Sequence, residues 1–165
     1  IDVARAAGEK VVAGCTGKIS ENRTQALLGL PDHAMIDMGD FAGGMLKYLR
    51  NHPVPKIIIG GGFAKITKLA RGNLDLHSGR SQVDLPWLAE IVGTLGSADA
   101  VTARVASANT AAEVLSIAAE NDLTLADDIA RRAVEVAQET IADADIDIGI
   151  LIYNRAGNLV GWSNA

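Results

Sequence analysis

The chain has 165 residues, of which 48% are hydrophobic and 21% are charged, and its net charge is -5. These values predict one globular domain with its own core, and they disfavour a nucleic-acid-binding module, which usually carries a basic excess. No apolar run approaches the ~18 residues of a membrane span, and the single cysteine, Cys15, excludes an intrachain disulfide. We therefore expect a cytoplasmic protein with neither nucleic-acid nor membrane partners.

The first half of the chain alternates between helical and strand patterns. Residues 1–9 are typical of a helix. Strands are predicted at residues 11–17, 34–40 and 56–62, each followed by a helix, at residues 20–31, 41–53 and 63–72 respectively. Ser20 is a good N-cap residue for the first of these three helices. The third strand is apolar throughout, as expected for a strand covered on both faces, and the β-α series predicts parallel pairing.

The second half changes character. Residues 73–84 are polar and lack apolar periodicity, which indicates a long functional loop. Helices are predicted at residues 86–95, at 98–120 with a break near Ser107, and at 125–141 with a cap near Asp127. Residues 146–164 alternate around a turn at 154–158, which indicates a C-terminal β-hairpin or two edge strands.

The predicted fold is a single α/β domain over residues 1–165. It has a Rossmann-like, mostly parallel sheet with flanking helices, a helical segment, and the C-terminal hairpin or edge strands. The chain begins with Ile1 and shows no signal peptide. We expect it to be the C-terminal part of a longer chain whose N-terminal part is absent.

Glycine follows each of the first three strands, at Thr16-Gly17, at Gly39-Asp40 and at Gly60-Gly61-Gly62. Ligands bind beyond the carboxyl ends of strands in open α/β sheets, and glycine lets backbone approach a ligand closely. The helix starts behind these strands offer free N–H groups to an anion. Lys65 and Lys68 lie one turn apart near the same edge, so the residues predict a pocket for an anionic small molecule.

Other interpretations of these residues stay open. The glycines are also typical of tight βα turns, Asp40 of an N-cap, and the two lysines of a solvated helix face. Cys15 is typical of a small core residue, and a lone loop histidine such as His77 commonly has no special role.

Common site motifs do not fit the sequence. The third-glycine position of a dinucleotide fingerprint is a lysine, and the residues around that lysine do not match a P-loop. The sequence has no G-x-S-x-G elbow and no Cys/His cluster with metal-ligand spacing. The residues therefore predict a pocket but not a reaction.

A longer block resembles a known family. The main block is the stretch "IIIGGGFAKITKLARGNLDLHSGRSQVDLPWL". It is preceded by "GCTGKISE" and "GLPDHAMIDMGDFAGGMLKYL" and followed by "SANTAAEVL" and "YNRAGNLVG". Together these stretches resemble the C-terminal part of the cobalt-precorrin-5B C1-methyltransferases, the CbiD family. The resemblance implies S-adenosylmethionine-dependent methyl transfer to ring carbon 1 of a cobalt-precorrin in cobalamin biosynthesis. The cobalt belongs to that substrate, and no protein-bound metal is expected. A homo-oligomer is an open alternative.

With this activity in view, the positions and chemistry of the candidate residues suggest their roles, which are hypotheses and not known family sites. Cofactor binding is expected at Thr16, Gly17, Gly39, Asp40, Gly60, Gly61 and Gly62. Contacts to the substrate carboxylates are expected at Lys65, Lys68, Arg71, His77, Ser78 and Arg80. Asp40 and His77 are the candidate catalytic bases, in a mechanism that depends mainly on placement of the two reactants.

Two alternatives remain at this point. One is a different α/β domain that binds an anionic small molecule. The other is a non-catalytic half that grips the corrin while the absent part binds the cofactor. We expect the fragment to be inactive alone, because two domains would be needed to hold so large a macrocycle.

Overall fold

A computed structural model describes residues 1–142 and 144–164. The helices are α1 (Asp2–Ala6), α2 (Lys18–Leu28), α3 (Ala42–Asn51), α4 (Phe63–Ala70), α5 (Leu85–Thr94), α6 (Asp99–Ala106), α7 (Ala111–Glu120) and α8 (Leu125–Ile141). The strands are β1 (Val11–Cys15), β2 (Met35–Asp37), β3 (Lys56–Gly62), β4 (Asp147–Tyr153) and β5 (Leu159–Ser163). The predicted α/β class is confirmed, as are the irregular loop at residues 73–84 and the break after α6.

The strands form one sheet in the order β2-β1-β3-β4-β5. The first four are parallel, and β5 runs antiparallel to β4. The chain leaves β1 outwards to β2 and then returns past β1 to form β3. The order of the strands therefore reverses between β1 and β3, which is the position where open α/β sheets bind ligands.

Helices cover both faces of the sheet. Successive side chains of β3 point to opposite faces and are therefore buried on both sides. Ile57 and Ile59 belong to the main core with residues of α3, α4 and α8. Ile58 belongs to a smaller cluster with Ala13, Leu151 and Tyr153, against which Leu28 of α2 packs. The fully apolar pattern of the third strand is explained by this burial on both faces.

Several local predictions were wrong. Ser20 is not an N-cap, since α2 begins two residues earlier and the Ser20 hydroxyl donates to the Gly17 carbonyl at 2.8 Å. Asp127 does not cap α8; it lies in the first turn and accepts the Trp162 N–H at 3.0 Å. Asp40 does not cap α3, because Phe41 occupies that position.

The second strand is also shorter than predicted. The C-terminal hairpin is confirmed, but β4 is not an edge strand, because it pairs with β3 as well as with β5. This pairing places the end of β4 beside the ends of β1 and β3, where it contributes to the site.

Candidate ligand-binding cleft

A cleft of about 1210 Å³ opens at the carboxyl ends of β1, β3 and β4. Its floor is formed where the strands end, by Thr16, Gly17, Gly62, Tyr153 and Asn154. The opposite wall comes from α7, the start of α8 and the end of the 73–84 loop. The cleft therefore lies at the carboxyl ends of strands, where the sequence predicted a pocket, and at the reversal of strand order that the structure reveals.

The walls of the cleft are formed by apolar side chains and by the N-terminal ends of three helices. Apolar lining is contributed by Ile19, Val83, Leu85, Leu115, Leu123 and Val160. The first turns of α2, α4 and α7 also face the cleft, and the N-terminus of a helix carries a partial positive charge. Such a surface suits a partly apolar ligand that also carries negative groups.

The charged lining of the cleft is mainly positive, although the chain is acidic overall. Three cationic residues line it, Lys18, Lys65 and Arg155, against one carboxylate, Asp127. Asp127 is already engaged, because it accepts the Trp162 N–H. Lys18 is paired with Glu21 and Lys65 with Asp40, so Arg155 is the cation of this lining that has no carboxylate partner among the described residues.

The three glycines at the end of β3 have different surroundings. A Cβ on Gly60 would lie 2.5 Å from Thr24 Oγ1 on α2, and a Cβ on Gly61 would lie 2.7 Å from Ile66 Cδ1 on α4. A Cβ at either position would force the facing side chain to shift, so both glycines favour close packing of the helices on the sheet. Only Gly62 lines the cleft, and a Cβ there would have no atom within 4 Å.

The end of β2 does not line the cleft. Gly39 forms a turn with φ +56°, and the Asp40 carboxylate is directed at Lys65. Lys65 Nζ lies 2.9 Å from Asp40 Oδ1 and donates a hydrogen bond to the Thr16 carbonyl at 2.6 Å. Among residues 1–142 and 144–164, no donor is aligned with Asp40 Oδ1 for a hydrogen bond, so the Asp40 contact is an ion pair without good hydrogen-bond geometry. Lys65 thus braces the turn after β1.

Lys68 faces away from the cleft. Its side chain is buried, and its ammonium donates to the carbonyls of Leu76 and Ser81 in the 73–84 loop. Burial lowers the pKa of Lys68, and the nearby Asp40 carboxylate opposes that change. The structure therefore places Lys68 as an internal support of the loop.

The remaining candidate residues lie outside the cleft. His77, Ser78 and Arg80 are exposed on the 73–84 loop, where His77 Nδ1 accepts the Gly79 N–H at 3.1 Å. The guanidinium of Arg80 pairs with Asp75 at 2.9 Å.

Arg71 lies on the adjacent end of α4 and is also paired, with Asp84 at 3.2 Å. Among the predicted site residues, the structure brings together Thr16, Gly17, Gly62 and Lys65 at the cleft.

Sequence reasoning missed the residues at the end of β4. Tyr153 is buried beneath the cleft, with its hydroxyl 3.1 Å from Thr24 Oγ1, and burial raises its pKa. Asn154 and Arg155 follow it at the edge of the cleft. Recognition of β4 as a parallel neighbour of β3 would have added this fourth strand end to the predicted site.

Two further findings concern metals and membranes. Among residues 1–142 and 144–164, no three metal-ligating side chains gather into a candidate metal site. No helix in the same part of the chain has the length and apolar character needed to cross a membrane.

The open sheet and its cleft define an α/β domain with a candidate ligand-binding site at the reversal of strand order. The family model described as "CbiD, C-terminal domain" matches residues 75–164, and the chain belongs to the CbiD family. This confirms the resemblance predicted from the sequence.

The curated relatives have long matches to the chain. A cobalt-precorrin-5B C(1)-methyltransferase of Brucella anthropi is 51% identical over 97% of the chain, and one of Paramagnetospirillum magneticum is 50% identical over 98%. The match covers 44% of each relative, so the chain spans less than half their length. No significant match to a solved structure was found.

Proposed function

We propose that this chain is part of an S-adenosylmethionine-dependent methyltransferase that acts on ring carbon 1 of a cobalt-precorrin in cobalamin biosynthesis. The relatives that carry the name cobalt-precorrin-5B C(1)-methyltransferase are about half identical to it along nearly its whole length. The observation that carries the proposal is the cleft. Its volume of about 1210 Å³ exceeds the ~300–1,000 Å³ of ordinary small-molecule sites, and its walls suit a flat polycarboxylate ring.

The methyl donor is assigned to the floor of the cleft. Thr16, Gly17 and Gly62 follow β1 and β3 at the reversal of strand order, and the open space at Gly62 fits close approach of a ligand to the backbone. Asp40 acts indirectly in this proposal, because its carboxylate contacts Lys65 and does not line the cleft. His77 is given no role as a base, since it also lies outside the lining.

The residues of the chain promote transfer by placement. A bound sulfonium donor supplies an already activated methyl group, so no nucleophilic side chain is needed. The apolar walls exclude water and hold the ring flat, while cationic side chains at the edge neutralise its carboxylates. Alignment of two bound reactants can supply ~7–11 kcal/mol of the barrier.

The test is calorimetric titration of the chain with S-adenosylhomocysteine, compared with Gly62→Val. Gly62 lines the cleft and an added Cβ would meet no atom within 4 Å, so we expect the valine side chain to occupy ligand space and to cost at least about a tenfold loss of affinity, or ~1.4 kcal/mol. Gly93→Ala in α5, where the nearest atom to the new Cβ is Thr102 Oγ1 at 3.9 Å, is the control and should bind normally. Unchanged binding by a folded Gly62→Val would remove the donor from this floor.

A second candidate function is that this part grips only the corrin. The extensive apolar wall favours it, as does the coverage of only 44% of the relatives, which leaves room for a donor site elsewhere in such proteins. A folded chain that binds a corrin but shows no heat with S-adenosylhomocysteine would support this second function over the first.

A further inference from the structure

We propose that Arg155 is the residue of this chain that binds a carboxylate of the anionic ligand, and that the turn after β4 is built to present it. This inference rests on the proposed function, because it names a contact to the ligand of the same cleft. Arg155 lies on the cleft lining, directly after the end of β4.

The turn that carries Arg155 is held by its own hydrogen bonds. The N–H of Asn154 donates to the Asn158 carbonyl at 3.0 Å, and the N–H of Gly157 donates to the Asn154 carbonyl at 3.0 Å. The Asn154 Oδ1 accepts the N–H groups of Ala156 and Asn158, at 3.0 and 2.9 Å. Gly157 has φ +80°, a conformation that disfavours other residues. The backbone at Arg155 is therefore fixed.

The turn is also packed against α2. A Cβ added to Gly157 would lie 2.8 Å from Arg23 Nε and 3.2 Å from Ile19 Cγ2, so the turn backbone lies directly on that helix. On its other side the turn continues from β4, whose last residue, Tyr153, is buried. The position of Arg155 at the edge of the cleft is thus set by a strand and a helix.

Arg155 differs from the other candidate cations in having no partner. Four of the others are paired with carboxylates at 2.9–3.2 Å, in the pairs Lys65–Asp40, Lys18–Glu21, Arg71–Asp84 and Arg80–Asp75. The ammonium of Lys68 is taken by loop carbonyls. Within the part of the chain that the structure describes, Arg155 has no ion pair and its guanidinium donates no hydrogen bond.

An unpaired guanidinium suits a carboxylate ligand. It remains charged at all relevant pH values and can donate two parallel hydrogen bonds to one carboxylate. An exposed cation is ordinarily only solvated, and Lys47 on α3 provides the comparison. Lys47 is also exposed and makes no ion pair among the described residues, but it does not line the cleft.

The experiment uses two corrins with the same ring, cobyrinic acid with free carboxylates and its fully methyl-esterified form, in which every carboxylate is neutralised. Each is titrated into the wild-type chain, Arg155→Gln, Arg155→Lys and Lys47→Gln. We expect the wild type to prefer the acid. Arg155→Gln should bind the acid about tenfold more weakly, which corresponds to ~1.4 kcal/mol, and should bind the ester as the wild type does. Arg155→Lys should keep part of the preference, and Lys47→Gln should bind both corrins as the wild type does.

The outcomes separate the two proposals. Equal binding of the acid by the wild type and Arg155→Gln would overturn the assignment of Arg155 while leaving the proposed function standing. An equal loss in Lys47→Gln would also overturn it, because general surface charge would then explain the effect. Equally weakened binding of the acid and the ester by Arg155→Gln would also overturn it, because the substitution would then act on the turn and not on a carboxylate contact. Failure of the folded wild type to bind either corrin would also overturn this inference, whereas the proposed function is tested separately by the titration with S-adenosylhomocysteine.

Discussion

The substitution Gly60→Ala tests how closely α2 packs on the sheet. The new Cβ would lie 2.5 Å from Thr24 Oγ1 and 3.0 Å from Cys15 Sγ, and real Cβ atoms essentially never approach other atoms closer than 3.0 Å. Thr24 is fully buried, and its hydroxyl is hydrogen-bonded to that of Tyr153, so it cannot turn away freely. We expect overpacking to cost about 1–3 kcal/mol, and loss of the hydroxyl pair to add about 0.5–1.5 kcal/mol.

The measurement is urea unfolding followed by far-ultraviolet circular dichroism, and the matched control is Gly62→Ala. Gly62 has φ -69° and ψ 148°, which alanine adopts readily, and an added Cβ would meet no atom within 4 Å. We expect the control to be as stable as the wild type or to gain about 0.4–1 kcal/mol. The two substitutions lie two residues apart in one strand, so the difference between their free energies of unfolding reports the contact of residue 60 with α2.

A double variant makes the reasoning stricter. Thr24→Ala alone removes the atom that Gly60→Ala would strike, so the double variant should lose less stability than the two single losses together. Equal unfolding midpoints for Gly60→Ala and Gly62→Ala, or strict additivity in the double variant, would refute the packing described here.

Three further predictions concern groups outside the cleft. Lys68→Met should lower stability by about 1–3 kcal/mol in thermal unfolding, because the Leu76 carbonyl loses its buried donor; an unchanged melting temperature would contradict this. Cys15 is buried and desolvation raises its pKa to about 11, so it should react with iodoacetamide at pH 8 only after unfolding, and fast labelling of the folded chain would refute this expectation. The pKa of Asp84 is lowered below its usual 3.8, first by the N–H of Trp87, so its contribution to stability is present above that value and is lost as the pH falls through the lowered pKa. Unfolding midpoints measured between pH 7 and pH 2 should therefore fall less steeply for Asp84→Asn than for the wild type, and parallel curves would exclude this contribution.

The fold was predictable because its signals are local. The apolar run at β3, the glycine ends of β1 and β3, and the amphipathic pattern of α8 all lie within short windows of sequence. The parallel pairing of these strands and the position of the cleft at their carboxyl ends then follow from general rules of α/β topology. Cap positions were less predictable, since Ser20 and Asp127 are good cap residues that bond elsewhere.

The partners of charged residues were not predictable in the same way. Lys65 and Lys68 lie one turn apart on α4, yet one borders the cleft and the other is buried against a loop. The difference depends on residues outside α4, because Lys65 pairs with the Asp40 carboxylate and Lys68 donates to the Leu76 carbonyl. The end of β4 was missed for a related reason, as an alternating strand pattern does not show which neighbour the strand will have.

The glycines after β3 show why one motif can mislead about function. Gly60 lies against Thr24 of α2, and Gly61 lies against Ile66 of α4. Gly62 instead lines the cleft, so the three glycines have two different kinds of surroundings. A substitution that abolishes activity at Gly60 or Gly61 would therefore report on folding first. The functional question can be asked cleanly at Gly62 and Arg155, because both border the cleft and neither is held there by a side-chain partner among the described residues.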